Sequence, residues 1–108
     1  MSSFEVNGDD CWAGRPVAHR IAGVSPRQRI AVTGTIVHTA PVRSATGLAF
    51  HCILDDGTGS LELRFLGRRS VPGIEPGVRC QVEGTVQADG DHPVVWNPLY
   101  VLEDRERP

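Results

Sequence analysis

The sequence predicts an all-β domain built from five strands, and three observations lead to this prediction. Apolar and polar residues alternate with a period of two in several segments between residues 28 and 102, as in strands with one buried face. Glycine and proline separate these segments. With 12 Gly and 8 Pro among 108 residues, no stretch is long enough for an extended amphipathic helix.

The clearest segment is a hairpin over residues 49–67, which is expected to supply strands 2 and 3. Its turn, residues 55–59, combines two aspartates with two glycines, because Asp can cap its own backbone and Gly accepts positive φ. The expected core residues are Phe50, Cys52, Leu54, Leu61, Leu63 and Phe65. The opposite face has mixed polarity and is the candidate binding face. It carries His51, Ile53, Glu62 and Arg64.

The strand that precedes this hairpin, strand 1, is expected over residues 28–39. Gly34 in its middle indicates a bulge or a sharp bend, where one strand can serve two sheets. Residues 40–47 have the composition of a loop. Residues 67–77 contain two prolines and three glycines, so at most one 3₁₀ turn is expected there, as a very short connector.

The second hairpin is expected to consist of strand 4 over residues 78–88 and strand 5 over residues 93–102. The loop between them is built around an Asp-Gly pair. Strand 5 is interrupted by Asn97-Pro98, which fits an edge strand or a bend.

The predicted strands divide the chain into three parts. Residues 1–26 are expected to be an N-terminal tail and a short lead-in that packs on the barrel, with Trp12 as a possible contact. Residues 27–102 form the domain, and residues 103–108 form a C-terminal tail.

The charge of the chain is nearly balanced, and its basic residues are all arginine. The formal net charge is −2, with 11 basic and 13 acidic residues, so no strong overall field attracts a polyanion or a membrane. Arginine presents a planar fork to phosphates and a flat face to bases. The alternative explanation is a GC-rich genome that favours Arg codons.

The order of long strand, hairpin, short connector and second hairpin resembles the OB-fold, a five-stranded, partly open Greek-key barrel. The resemblance covers residues 28–102, from Ile30-Ala-Val-Thr-Gly-Thr-Ile36 to Asn97-Pro98-Leu99-Tyr100. It is similar to the anticodon-binding class, which includes the wedge domain of RecG helicase. The segment from Gly67 to Gly77 resembles most the small stand-alone OB-fold nucleic-acid-binding-domain proteins of high-GC bacteria.

This resemblance implies that the outward face of strands 2 and 3 carries single-stranded nucleic acid, flanked by the strand 1–2 and 4–5 loops. It places His51 at a base-stacking position, where relatives present a Phe-like ring. It places Glu62 at a base-contacting polar position, with Arg64 two residues further on.

Further residues are expected to contact a nucleic-acid backbone. The alternative for the arginines is a solvated surface paired with nearby acids, since residues 27–102 hold seven Arg and seven acids. Trp96 lines the groove if Val95 points inward, and belongs to the core if Val94 does. The phosphate candidates are Arg29, Arg43, Arg64 and Arg69, and the hydrogen-bonding candidates are Thr33 and Thr35.

Other functions lack a sequence signal. The histidines and Cys11 share no metal-ligand spacing, and no nucleophile motif or phosphate loop is present, so neither a metal, a cofactor nor an enzyme is expected. Three cysteines without close spacing favour a reducing compartment, and no segment has the pattern of a membrane span or signal peptide. A cytoplasmic location is expected.

Two functions remain. The first is a non-enzymatic module that binds single-stranded nucleic acid, DNA more readily than RNA, with weak sequence preference and modest affinity. The second is a protein-interaction OB module, favoured by the near-zero charge and by Val37, Ile53 and Leu66 at exposed positions. The oligomeric state is left open.

Overall fold

The computed structural model describes residues 20–103, and its sheet extends from Arg29 to Leu102. A 3₁₀ turn, Ile21–Gly23, precedes the sheet. The expectations for residues 1–19, including Trp12 and Cys11, and for residues 104–108 lie outside this range. The strands are β1 (Arg29–Ser44), β2 (Gly47–Asp55), β3 (Ser60–Leu66), β4 (Arg79–Asp89), β5 (His92–Trp96) and β6 (Leu99–Leu102).

Five strands close into a ring in the order β1-β2-β3-β5-β4, because β1 also pairs with β4. The pairings are antiparallel except for β3 with β5, which is parallel. β6 follows β5 on the same side of β4, so β5 and β6 together are the fifth strand that the sequence predicted. The prediction of a five-stranded all-β barrel is confirmed.

The break between β5 and β6 occurs at Asn97-Pro98, as predicted. Asn97 has a φ of 51°, which bends the chain, and its backbone N–H donates to the Arg64 carbonyl at 2.7 Å. Its side-chain Oδ1 accepts the Leu66 N–H at 2.9 Å. Asn97 therefore attaches the bend to the end of β3.

The prediction of a loop over residues 40–47 is wrong, because β1 continues to Ser44 and β2 begins at Gly47. This part of β1 pairs with β2 alone, so it is an edge, where Pro41 removes no necessary ladder bond. Small and polar residues in this part of β1 obscure the alternation of apolar and polar residues that indicates a strand.

The bulge in β1 lies at Val37, three residues beyond the predicted position, Gly34. The register with β2 shifts between Ile36 and His38, which moves the core-facing residues from even to odd numbers. One strand does serve two partners, since residues 29–35 pair with β4 and residues 35–44 with β2. Gly34 has a different role: a Cβ there would lie 2.8 Å from the Asp55 carbonyl oxygen.

The connector between β3 and β4, residues 67–78, contains turns and no helix, as predicted. Val71 and Ile74 are each 3% exposed and close one end of the barrel. The Ile74 N–H donates to the Val71 carbonyl at 3.0 Å, which forms one turn of the connector.

The barrel interior holds the alternating apolar residues of each strand, including Phe50 and Phe65, as predicted. Cys52 and Cys80 are fully buried there. Burial raises the pKa of Cys52 to about 12 and that of Cys80 to about 11, so neither thiol ionises at neutral pH.

The lead-in is attached to the β2–β3 turn through Asp56. Its Oδ2 accepts the Ile21 N–H at 2.9 Å, while Thr58 Oγ1 accepts the Ala22 N–H at 3.1 Å. Ile21 is buried and Val24 packs against the core, so the predicted packing of the lead-in is confirmed for this part.

Candidate nucleic-acid interface

The outward side of β2, β3 and β5 forms a continuous surface, which is called the outer face here. Register places His51 opposite Arg64 and Arg64 beside Trp96, so these three side chains form one row across three strands. The adjacent row consists of Ile53, Glu62 and Val94. The structure therefore brings together four of the predicted site residues, namely His51, Glu62, Arg64 and Trp96.

Arg64 lies at the centre of the outer face and is held on three sides. Its guanidinium carbon is 5.1 Å from the centroid of the Trp96 ring, which is a cation–π contact. Its Nε donates to Glu62 Oε2 at 2.9 Å, and its Nη2 donates to Asp89 Oδ2 at 2.7 Å. The side chain is only 15% exposed. These two carboxylates balance the charge that the sequence analysis assigned to a phosphate.

Glu62 is the most enclosed carboxylate of the outer face, with 14% of its side chain exposed. His51 Nδ1 lies 2.9 Å from its Oε2, and His92 Nε2 lies 3.5 Å from its Oε1. Burial alone would raise the pKa of Glu62, but the hydrogen bond and charge of Arg64, followed by His51 and His92, lower the pKa. Glu62 therefore positions Arg64, His51 and His92 around one carboxylate.

Trp96 lies on the outer face, which settles the choice left open by the sequence. Val95 points into the barrel core, yet Val94 is also buried, at 1% exposed. Arg64 stands beside Trp96 but reaches Asp89, which is opposite His92, so its side chain crosses the row of Val94. Val94 is thus buried although it lies on the outward side of β5.

A second group of arginines lies at the end of the barrel where β1 and β2 meet. The Gly67 N–H donates to the Leu48 carbonyl at 2.7 Å, and Leu48 pairs with Arg43. Arg68 and Arg69 follow Gly67 directly, and all three arginines are exposed. Within residues 20–103 the recorded ion pairs of arginine involve Arg29, Arg64 and Arg79, so this arginine end (Arg43, Arg68, Arg69) has none.

Arg29, Thr33 and Thr35 do not belong to the outer face. They point outward from the half of β1 that pairs with β4, and Arg29 Nη2 donates to Glu83 Oε2 at 2.8 Å. Ala40, the partner of His51, lies eleven positions beyond Arg29 in β1, roughly 35 Å along the strand. The nine predicted residues thus divide among the outer face, the arginine end and this second face.

Sequence reasoning missed Asp89, His92 and Arg68. Asp89 and His92 were assigned to a loop, whereas they are the paired residues that close β4 and β5 around a two-residue turn. Gly90 in that turn has a φ of 65°, which Gly adopts readily. Because Val95 points inward, alternation with a period of two assigns His92 to the outward side of β5. Asp89 is paired with His92 across the two-residue turn and therefore lies on the same side.

A groove of about 360 Å³ opens between the lead-in and the β4–β5 turn. It lies at the end of β3 opposite the arginine end, since Gly59 and Ser60 line it. Its charged or titratable lining consists of Asp91 and His92, so it lacks the arginines that a phosphate would need.

No group of His, Cys, Asp or Glu in residues 20–103 has the arrangement of a metal site. No helix in the same range has the length and apolar composition needed to cross a bilayer.

No protein-family model matches this chain, and no curated protein matches it. Among solved structures, it is similar to the solution NMR structure of a replication factor A related protein from Methanobacterium thermoautotrophicum. The TM-score is 0.61 at 16% identity, and the alignment covers 83% of this chain and 92% of the other. With the strand order above, this similarity shows that the fold is an OB-fold barrel.

Proposed function

We propose that this chain is an OB-fold module that binds single-stranded nucleic acid on the outer face, without catalysing a reaction. The affinity is modest, the sequence preference is weak, and DNA is bound more readily than RNA. The similarity in fold to a replication factor A related protein supports the proposal. A reducing, cytoplasmic setting suits such a module.

The observation that carries the proposal is the row of His51, Arg64 and Trp96. A guanidinium in cation–π contact with an indole, next to an imidazole, places three π systems in one row across three strands. Bases stack on arginine planes and aromatic rings without regard to sequence. Because Arg64 is already paired with two carboxylates, this centre is suited to bases and not to phosphates.

The arginine end supplies the contacts that the centre lacks. Arg43, Arg68 and Arg69 are exposed and have no ion pair within residues 20–103, so they can neutralise phosphates. Three such contacts would give a salt slope of about −2 for a single strand, which accounts for a modest affinity. The preference for DNA follows from the mutual pairing of Glu62, Arg64 and Asp89, which leaves few groups for a 2′-hydroxyl.

The proposal is tested by fluorescence anisotropy with labelled oligo-dT and oligo-U at low salt. We expect saturable binding in the micromolar range, tighter for oligo-dT. An Arg68→Glu/Arg69→Glu double variant should bind oligo-dT at least about tenfold more weakly, because two phosphate contacts become repulsive.

The matched control is Arg79→Glu, which reverses the charge of an exposed arginine on β4 that pairs with Glu103. Its affinity for oligo-dT should remain within about twofold of the unchanged protein, apart from the general effect of net charge. Absence of wild-type binding at tens of micromolar protein would refute the proposed function, and equal losses in both variants would refute the assigned site.

A protein-binding role is the second candidate, and exposed apolar residues on β6 favour it. Leu99 and Val101 are 62% and 66% exposed on the same side of this strand. A pull-down that recovers one stoichiometric partner after nuclease treatment, and loses it with Leu99→Asp/Val101→Asp, would support this role. Failure to recover any partner would weaken it.

A further inference from the structure

We infer that single-strand binding on the outer face is linked to protons through His51 and His92. This inference rests on the proposed function and adds its regulation. Both imidazoles lie against the same enclosed carboxylate, Glu62, at 2.9 Å and 3.5 Å. The cluster of His51, Glu62, Arg64, Asp89 and His92 is called the charge cluster.

The charge cluster carries one positive and two negative charges when its histidines are neutral. Arg64 supplies the positive charge, and Glu62 and Asp89 supply the negative ones. A polyanion that crosses this surface at neutral or higher pH therefore meets a slightly acidic centre. Protonation of both histidines changes the balance to three positive and two negative charges.

The charged and titratable groups around each histidine come from every neighbouring strand. His51 faces Glu62 and Arg64 on β3, and His38 lies one row away on β1. On the other side, His92 faces Asp89 across β4 and Glu62 on β3, with Asp91 in the adjoining turn. Further along the same outward side of β2 lies Asp55. Acids outnumber cations around both imidazoles.

Histidine is the side chain that changes charge within the range of pH 5 to 8. A strand whose bases stack on the outer face carries its backbone phosphates past the charge cluster, and their negative charge favours the protonated imidazoles more in the bound state than in the free state. By linkage, binding takes up protons and strengthens as the pH falls. The arginine end does not change charge in this range and fixes the remaining, pH-independent affinity.

The test measures oligo-dT affinity by anisotropy at about pH 7.5 and about pH 5.5, at matched ionic strength. Between these two pH values, histidine side chains generally change charge and free carboxylates do not. We expect binding on the order of tenfold tighter at the lower pH. The salt slope should become steeper by about 1.4, the value for two added charges on a single-strand complex.

The informative variant is His51→Gln/His92→Gln, which keeps hydrogen-bonding groups beside Glu62 but cannot take up a charge. Its affinity ratio between the two pH values should fall to about twofold. The control is His38→Gln, which removes a histidine without an ion pair to any residue from 20 to 103 and should keep most of the wild-type ratio.

Calorimetric titration of the unaltered protein with oligo-dT, in two buffers of different ionisation enthalpy near pH 6.5, measures the same linkage without a variant. A net uptake of protons on binding supports the inference. Binding without proton uptake, or an unchanged pH ratio in the double variant, overturns the linkage while leaving the proposed function in place. Absence of binding at either pH overturns both.

Discussion

An Asp56→Ala substitution is expected to lower the free energy of unfolding by about 3 kcal/mol. The Asp56 carboxylate accepts hydrogen bonds from Thr58 N–H, Thr58 Oγ1 and Gly59 N–H at 2.9, 2.6 and 3.3 Å, and from the Ile21 N–H at 2.9 Å. Its loss opens the β2–β3 turn and also releases the lead-in, whose Ile21 belongs to the core. Urea unfolding followed by circular dichroism measures the change.

The matched control is Asp55→Ala at the neighbouring position. Asp55 Oδ1 accepts one hydrogen bond, from the Gly57 N–H at 2.7 Å, so its removal should cost only about 1 kcal/mol. Equal losses in the two variants would contradict the role assigned to Asp56.

The same carboxylate makes the stability depend on acid pH. Burial alone would raise the pKa of Asp56, but hydrogen bonds from Thr58, Ile21 and Gly59 outweigh it and lower the pKa. The stabilisation is therefore fully present above the unfolded pKa of about 3.9 and is lost as the pH falls through the folded value. Unfolding curves should show a flatter acid dependence for Asp56→Ala than for the wild type.

A Gly34→Ala substitution is expected to destabilise the barrel by about 2–3 kcal/mol. The added Cβ would lie 2.8 Å from the Asp55 carbonyl oxygen, 3.0 Å from its carbon and 3.1 Å from Leu54 Cγ. The carbonyl belongs to β2 and cannot move without shifting the strand that carries His51. Thermal unfolding followed by circular dichroism checks this expectation.

Gly23→Ala provides the comparison, because a Cβ at Gly23 would have no heavy atom within 4 Å in residues 20–103 other than those of its chain neighbours. The change should remain within about 0.5 kcal/mol. If both variants unfolded at the wild-type temperature, the close approach of β1 and β2 at Gly34 would not be a constraint on the fold.

The sequence was sufficient for the position of most strands along the chain, because alternation and turn residues are local signals, and their closure into a barrel followed from the resemblance to the OB-fold. The hairpin of β2 and β3, the helix-free connector and the break at Asn97 were all recognisable from neighbouring residues. The bulge at Val37 was not, because it follows from the register with β2 and leaves no Gly or Pro at that position. Beyond it, β1 continued where Pro41 indicated a loop.

The candidate site was predictable only on one strand pair. His51, Glu62 and Arg64 belong to the central hairpin, so period-two alternation was enough to place them together. The position of Trp96 depends on the pairing of β5 with β3, which is distant in sequence. The positions of Asp89 and His92 depend on the length of the β4–β5 turn, which was expected to be a longer loop. The charge balance of the surface could not be predicted, since it depends on which acid reaches Arg64.

The parallel junction between β3 and β5 comprises three residue pairs, and Asn97 adds hydrogen bonds to the Arg64 carbonyl and the Leu66 N–H. Asn97 thus joins β3 at the end of the shortest strand pairing of the barrel, through both its backbone N–H and its side-chain oxygen, next to Trp96 in the chain. Loss of these hydrogen bonds would separate the Trp96 indole from the Arg64 guanidinium. The closure of the barrel and the row of His51, Arg64 and Trp96 therefore depend on the same residue.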